Sequence, residues 1–328
     1  MKPSGARDRG PGLRGIAPGT AGHGPDCAPA QRPGAGWLLS AGCVLLLAAG
    51  CSSRETASKA PPPAAPAKAS PLSLTRAVTI PAAVVADPAR AQGSPGILTL
   101  SEGGDDELPE GPTTFDVLSD GGFVIADPLR QRLVFYDPSG QFRFDLVIHF
   151  SAERVRALPN NALSVVRYQT GERYIYQADS AGQYQPPRLA TANDPDPDAA
   201  DAGVAKLESR NLATVSAAPS PNSETVPVPV RFDAVGEEMV SVQRLGLDAR
   251  LRTYVAIEAG FPGERVDVRT IVRKYTGQGQ PLAEIADIPL DYFAHPVDEF
   301  RMRDGVLYQL MPKASEVRIN MWDTNSRP

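Results

Sequence analysis

The chain has 328 residues, with 33 Lys+Arg against 38 Asp+Glu and a formal net charge of −5. This balance argues against a nucleic-acid-binding protein, which needs a basic surface for the phosphate backbone. Three Cys exclude a disulfide-dense scaffold, and three His leave little material for a His-rich metal site.

An apolar run lies near the N-terminus, from Trp37 to Gly50, and contains no charged residue. It is shorter than the roughly 20 residues that a transmembrane helix needs. The flank ahead of it carries more Lys and Arg than Asp, so it is positively charged. This arrangement predicts an export signal over residues 1–50.

The apolar run ends in small residues and a cysteine, and the stretch Leu47–Ser53 reads LAAGCSS. This stretch resembles the lipobox of bacterial lipoproteins, in which the signal is cut before the cysteine and lipid is then attached to it. The resemblance implies cleavage between Gly50 and Cys51, and a covalent lipid on Cys51 as the sole bound group. Ala48 stands where the family most often has Leu. An ordinary secretory signal, or a short buried helix with an incidental Cys, is the alternative interpretation.

The segment ahead of the apolar run is longer than an export signal needs. Thirty-six residues rich in Gly, Pro and Arg precede Trp37, and no second Met occurs before residue 239. We expect translation to begin after Met1, at an alternative start codon. Cys27 and Cys43 would leave with the signal, which suits an oxidising compartment where a stray thiol is a hazard.

Residues 51–93 are predicted to form a Pro/Ala-rich tether between the anchor and a folded domain. The part from Ser52 to Ala69 has no aromatic and no large aliphatic residue. Its prolines favour an extended polyproline II conformation and exclude a helix. The remainder of the tether is more apolar, and it could either pack against the domain or remain loose.

From residue 94 to residue 328 the pattern changes to short apolar runs separated by turn residues. The runs Phe123–Ala126 and Leu133–Tyr136 predict buried strands, and Gln141–Phe144 starts another. Asp-Gly-Gly at 120–122 and Asp-Pro-Ser-Gly at 137–140 predict the turns between them. These runs predict one antiparallel sheet within about forty residues.

The same sequence pattern recurs along the chain at a spacing of about forty residues. The clearest further repeat has predicted strands at Leu163–Val166 and Arg173–Tyr176, and weaker repeats cover 272–282 and 300–322. The pattern predicts an all-β protein, a β-propeller of about five to six four-stranded blades. The run Ile97–Leu100 is predicted to be the outer strand of the last blade, closing the ring from the N-terminal side.

The phrase from Asp116 to Phe142 is similar to the NHL-type repeat of β-propellers. Gln131 stands where that family usually has Asn. The motif is structural, because its Gly residues fit the turns and its aliphatic residues fill the blade. The resemblance therefore implies a propeller and carries no information about function.

Residues 191–221 are rich in Asp, Pro, Ala and Ser, and are predicted to form a mobile insertion. Within them Asp194, Asp196 and Asp198 could offer oxygen ligands to Ca²⁺. The run has no Gly for a sharp turn and no closing Glu, so a solvated acidic loop is preferred and no metal site is assigned.

Enzymes on similar propellers place their chemistry at the central axis. Some NHL-type lyases use His with a metal there, and sugar-lactone hydrolases use Glu, Asn and Asp. The residues of this chain that could take such positions are His149, His295, Glu102, Asn160, Asn161 and Glu299. Their spacing does not demand that they meet, so no catalytic residue is assigned.

These patterns together predict a membrane-anchored protein of the bacterial cell envelope, facing the periplasm from the outer membrane in a Gram-negative cell. We expect a monomer whose propeller is a binding or scaffolding module for an envelope protein, a peptide or a glycan. The alternative is a propeller hydrolase or lyase that uses carboxylates or a metal at the axis.

Overall fold

The computed structural model describes residues 68–86, 94–104, 107–198, 205–217, 226–234, 236–248, 250–262, 268–286 and 288–325. In these ranges the chain forms twenty-one β-strands and two single-turn 3-10 helices, Pro128–Arg130 and Pro159–Asn161. The predicted all-β class is confirmed. No helix in the described ranges is long and apolar enough to cross a membrane. The predicted signal and Cys51 lie outside the described residues.

Three short strands come first, and two four-stranded antiparallel sheets follow in chain order. The first three strands are β1 (Ser70–Pro71), β2 (Arg76–Val84) and β3 (Leu98–Leu100). The first sheet contains β4 (Phe115–Val117), β5 (Phe123–Asp127), β6 (Arg132–Tyr136) and β7 (Phe142–Val147). The second contains β8 (Ala152–Leu158), β9 (Ala162–Arg167), β10 (Arg173–Gln177) and β11 (Arg188–Leu189).

Three further sheets complete the described part of the domain. The third contains β12 (Ala205–Ser209), β13 (Leu212–Ala217) and β14 (Val226–Arg231). The fourth contains β15 (Glu238–Leu247), β16 (Thr253–Gly260), β17 (Val268–Tyr275) and β18 (Pro281–Ile285). The fifth contains β19 (Phe300–Arg303), β20 (Val306–Pro312) and β21 (Glu316–Asp323).

The first strand of each sheet lies nearest a common axis. Strand β4 contacts β8 and β19, and β15 contacts β12 and β19. The later strands of each sheet pair outward in chain order, so the sheets stand around the axis as blades. The fold is a β-propeller. The described residues form five sheets, the third of them with three strands, and the total of five to six blades stays a prediction.

The N-terminal strands complete the fifth sheet. Strand β2 pairs antiparallel with β21, with Ile80 opposite Val317, and its last residues pair parallel with β3. The prediction for Ile97–Leu100 is confirmed, since β3 is the edge strand of the last sheet. Strand β2 stands between it and β21, and β1 adds a parallel strand to β18.

Strand β2 lies inside the range 51–93 that the sequence assigned to the tether. Its side chains alternate, with Val78 and Ile80 buried and Thr79 exposed. This alternation is typical of a strand with one face on the core. Pro81 obscured the pattern in the sequence, because proline is rare within sheets. The folded domain therefore begins before residue 94.

Both faces of an inner-blade strand are buried, and strand β5 shows how. Phe123 and Ile125 pack toward the fifth sheet, whereas Val124 and Ala126 pack toward the second sheet. Successive side chains of a strand point to opposite faces, so a blade between two neighbours needs apolar residues at every position. The continuous apolar run in the sequence has this cause.

The turn that recurs in the sequence is built in the same way at several sheets. The Asp137 carboxylate accepts hydrogen bonds from the backbone N–H groups of Ser139 and Gln141. The Asp179 carboxylate accepts the equivalent bonds two and four residues on, and the Thr276 hydroxyl does so in the fourth sheet. The glycine in the first of these turns, Gly140, has φ of 86°, which favours Gly.

The third sheet lies partly in the range 191–221, which the sequence predicted to be a mobile insertion. Strands β12 and β13 occupy 205–217, and β14 follows. On β14, Val228 and Val230 are buried while Pro227 and Pro229 are exposed. An edge strand tolerates proline, because its unpaired side needs no N–H donor. The Pro/Ala-rich composition therefore hid a strand whose apolar side packs on the fourth sheet.

Replacing Ile80 with Ala should lower the free energy of unfolding by about 2–5 kcal/mol, because it leaves a cavity where β2 closes the ring. Denaturant unfolding followed by circular dichroism measures the change. Thr79→Ala is the matched control, since Thr79 is exposed on the same strand, and it should change stability by less than about 0.5 kcal/mol. Equal effects of the two substitutions would contradict the closure through β2.

Candidate functional site

A cavity of about 730 Å³ lies at the axis, between the inner strands of four sheets. We call it the axial cavity. Side chains from β4, β8, β15 and β19 line it, and most of its charged groups are basic. The arginines are Arg154, Arg156, Arg244, Arg301 and Arg303, and the carboxyl groups are those of Asp116, Asp198 and Asp298.

Strand alternation places the arginines at the axis. Arg154 and Arg156 flank Val155, which is fully buried between the first and second sheets. Arg301 and Arg303 are likewise two residues apart on β19. Because side chains two apart share a face, β8 and β19 each carry an Arg-x-Arg pair to the same side.

Asp298 joins two of these arginines. Its carboxylate accepts hydrogen bonds from Arg156 Nη1 at 2.9 Å and from the Thr114 hydroxyl at 2.9 Å, and it also accepts one from Arg301. Burial alone raises the pKa of Asp298, but the charges of Arg301 and Arg156 outweigh it and hold the pKa below its usual value. Asp298 is therefore an ionised link between the first, second and fifth sheets.

Asp198 forms a second link at the axis. Its carboxylate lies 2.6 Å from Arg156 Nε and 3.3 Å from Arg154 Nη1. The segment 191–198 leaves β11 on the outside of the second sheet and returns to the axis at this point. The paired charges hold the end of that segment beside β8.

Asp116 on β4 has a different environment. Its carboxyl accepts hydrogen bonds from the backbone N–H groups of Val117 at 2.8 Å and Ala157 at 2.6 Å. Burial raises the pKa of Asp116 above its usual value, although Arg301 and the backbone donors act in the opposite direction. The group connects β4 to β8.

The lining is positive overall, with five arginines facing three carboxyl groups in a chain that is acidic as a whole. Asp298 and Asp198 are bonded to arginines, so they offer little to a cation. The described lining residues include no His, Cys or Glu. The arrangement suits recognition of negative charge, since arginine presents a fixed fork of N–H donors to carboxylate and phosphate oxygens.

The three weak metal candidates do not come together. Asp194 pairs with Arg188 at 2.7 Å, and this hydrogen bond lowers its pKa. Asp196 accepts the backbone N–H of Asp198, whose own carboxylate pairs at the axis. Across the described ranges, no group of three or more His, Cys, Asp or Glu side chains could hold a metal ion.

The residues considered for an enzyme are dispersed. Among them only Asn160 is a described lining residue of the axial cavity. His149 is exposed, and His295 contacts Tyr292 with ring centroids 4.8 Å apart and ring planes tilted by 55°. Asn161 lines a separate cavity between the first and second sheets. The structure therefore does not bring this set together.

Glu299 belongs to a buried polar network away from the axial cavity. Its carboxylate accepts hydrogen bonds from the Tyr292 hydroxyl and from Gln309 Nε2, the latter at 2.8 Å. Gln309 also accepts a hydrogen bond from Asn320 at 3.0 Å. Burial raises the pKa of Glu299 above its usual value. The network fixes the loop before β19 to β20 and β21.

The arginines were not predicted as site residues, although the sequence carried a signal for them. The spacing Arg-x-Arg occurs in Arg154-Val155-Arg156 and again in Arg301-Met302-Arg303. Each pair sits at the start of a predicted repeat, where the innermost strand of a blade falls. Basic residues repeated at that position would have indicated a charged axis.

Asp298→Asn should lower the free energy of unfolding at neutral pH by about 1–3 kcal/mol, because it removes the charge that pairs with two buried arginines. The pKa of Asp298 is lowered by folding, so its contribution is present above the ordinary value of 3.8 and is lost as the pH falls further. The stability difference between wild type and variant should therefore shrink in acid.

Denaturant unfolding at a series of pH values measures this difference. Asp196→Asn is the control, because Asp196 is exposed and outside the axial cavity, and it should leave stability nearly unchanged. A difference for Asp298→Asn that stays constant or grows in acid would contradict the assigned ion pairs.

The chain is distant in sequence from the solved structures that it is similar to. BamB from Moraxella catarrhalis is 9% identical, with 77% of this chain and 99% of that chain covered and a TM-score of 0.30. A streptogramin B lyase is 8% identical, with coverage of 64% and 93% and a TM-score of 0.29. A gluconolactonase from Xanthomonas campestris is 12% identical, with coverage of 65% and 75% and a TM-score of 0.25.

These likenesses assign no function to the chain, because both the identities and the TM-scores are low. The sequence matches no protein-family model, and no curated protein is similar to it.

Proposed function

We propose that the protein is a lipid-anchored component of the bacterial cell envelope whose propeller is a binding or scaffolding module. Its ligand would be an envelope protein, a peptide or a glycan, and the domain would work as a monomer. In a Gram-negative cell the anchor would lie in the outer membrane and the propeller would face the periplasm.

The arginine-rich lining of the axial cavity is the observation that carries the binding role. Asp298 and Asp198 are held in ion pairs with Arg301, Arg156 and Arg154, which keeps them from acting as bases or metal ligands. A cavity of about 730 Å³ has the size of a typical ligand site. Its side chains are donors in fixed positions, as recognition requires.

The lipid anchor rests on the sequence around Cys51. An apolar run without charges, small residues before the cysteine and a Pro-rich segment after it occur in the order that a lipoprotein needs. Two or more acyl chains on one cysteine would give stable attachment, whereas a single chain gives only marginal binding.

The alternative function is that of a hydrolase or a lyase, with carboxylates or a metal at the axis catalysing hydrolysis or elimination. It would depend on Asp116, because burial raises the pKa of this lining carboxyl toward the range of a general acid. Its two backbone hydrogen bonds to β4 and β8 give it a structural role as well, so binding is preferred.

Radiolabelled palmitate should be incorporated into the wild-type chain and not into Cys51→Ser, because the thiol of Cys51 is the proposed lipid acceptor. Cys43→Ser is the matched control, since Cys43 lies in the predicted signal and should leave the labelling intact. Fractionation of the cells should move Cys51→Ser out of the membrane pellet. Equal labelling of the two variants would refute the anchor.

A binding role can be separated from catalysis by mass spectrometry. The purified chain, incubated with a small-molecule extract of the envelope, should retain about one equivalent of an unaltered compound. The Arg154→Gln variant should retain less, because Arg154 lines the axial cavity, and Asp196→Asn should retain as much as wild type. Recovery of many equivalents of a converted product would contradict the binding role and favour the enzyme.

A further inference from the structure

A second cavity of about 730 Å³ lies beside the axial cavity, and Met302 and Arg303 line both. We call it the lateral cavity. The turn between β15 and β16 and the turn between β19 and β20 border it. Its basic side chains besides Arg303 are Arg250, Arg252 and Lys274.

Lys274 is held at the floor of the lateral cavity. Its Nζ donates to the Thr324 carbonyl at 3.0 Å, and lies 3.5 Å from Asp248 Oδ2 and 5.0 Å from the centre of the Tyr254 ring. The ammonium group is therefore fixed by three neighbours, and the Lys274 side chain is only 3% exposed.

The Asp248 carboxylate is engaged in the same way as the carboxylates at the axis. It accepts the backbone N–H groups of Arg250 and Arg252, and the Nε of Arg252 lies 2.6 Å from Oδ2. Asp304, the other acidic residue of the lining, has a side chain that is 93% exposed. Asp248 offsets one positive charge of the lining and Asp304 lies largely in solvent, so four basic side chains face two carboxylates and the lining keeps a positive charge.

Taken together, the two cavities carry eight basic side chains and five acidic ones. The basic residues are Arg154, Arg156, Arg244, Arg250, Arg252, Lys274, Arg301 and Arg303. The acidic residues are Asp116, Asp198, Asp248, Asp298 and Asp304. This excess of positive charge lies in two neighbouring cavities of an acidic chain, where attraction for anions is stronger than at a fully solvated surface.

Arg303 lies between the two cavities and has N–H donors that can bind a ligand. Within the described residues its hydrogen bonds run to one acceptor, the Val117 carbonyl, and Asp304 lies 3.8 Å from its Nε. A guanidinium group has five N–H donors. Arg303 can therefore donate to a ligand in either cavity, or to one that occupies both.

We propose that the axial and lateral cavities together bind a small polyanion, a molecule that carries at least two carboxylate or phosphate groups. One anionic group lies among Arg154, Arg156 and Arg301, another lies at Arg252 and Lys274, and Arg303 contacts the part between them. Each cavity has the volume of a small-molecule site. The proposal rests on the binding function proposed above and names the chemistry of its ligand.

The test is calorimetric titration of the full chain in detergent with defined probes. Citrate supplies carboxylates, fructose 1,6-bisphosphate supplies phosphates, and glucose and spermidine are neutral and cationic controls. We expect at least one of the two anions to bind in a salt-dependent manner, and neither control to bind. The anion that binds more tightly identifies the preferred oxyanion.

Two variants locate the binding. Arg303→Gln and Arg154→Gln should each raise the dissociation constant of the anion by about tenfold or more, the usual effect of losing a charge-assisted hydrogen bond. Arg167→Gln is the control, because Arg167 is outside both cavities and its side chain is exposed to a similar degree as that of Arg154. Circular dichroism and thermal unfolding without ligand show whether each variant is folded.

The proposal is overturned if neither anion binds, if glucose binds as tightly as the anions, or if Arg303→Gln and Arg167→Gln weaken binding equally. The proposed binding function would still hold after any of these results if the chain retained an unaltered neutral compound from the envelope extract. Conversion of citrate or fructose 1,6-bisphosphate during the titration would overturn the binding function itself.

Discussion

The pairing of β2 with β21 is the interaction on which the rest of the domain depends. It joins a strand from the N-terminal side of the domain to its C-terminal strand, and so completes the fifth sheet. Val78 and Ile80 of β2 then pack with Phe115 and Phe123 of the first sheet. A blade has two apolar faces and must be covered on both, so an open ring would leave this core exposed. With the fifth sheet complete, the inner strands of four sheets lie around a common axis, and their polar side chains line a cavity.

The charges at that axis carry a cost in stability. Arginines brought together repel one another, and each must replace the hydrogen bonds that it made with water. Asp298, Asp198 and backbone carbonyls such as that of Phe115 supply part of this compensation. A lining chosen for stability alone would contain equal numbers of opposite charges or apolar side chains. The surplus of basic side chains in the axial cavity is the feature on which the proposed binding role rests.

Much of the fold was visible in the sequence, because a strand buried on both faces must be apolar throughout. The runs that form β5, β6 and β9 were predicted close to their observed bounds, and so were the turns at 120–122 and 137–140. Strands β2 and β14 were missed because prolines lie within them, Pro81 in β2 and Pro229 in β14, and proline is unusual inside a sheet. The candidate site was missed for another reason. The recurring Arg-x-Arg spacing marks residues 154 and 301 as belonging to innermost strands, but it does not show which charged side chains share one cavity.

The sequence by itself determined the class of the fold and the repeat, because local alternation and turn chemistry require only neighbouring residues. It also carries the lipobox-like stretch at Cys51, from which the anchor is proposed. Only the tertiary structure decided which charged side chains share a cavity. Arg156 on β8, Arg301 on β19 and Asp298 before it meet because the ring brings the innermost strands of non-adjacent segments together. Convergence at an axis depends on closure over more than a hundred residues, and no local pattern encodes it.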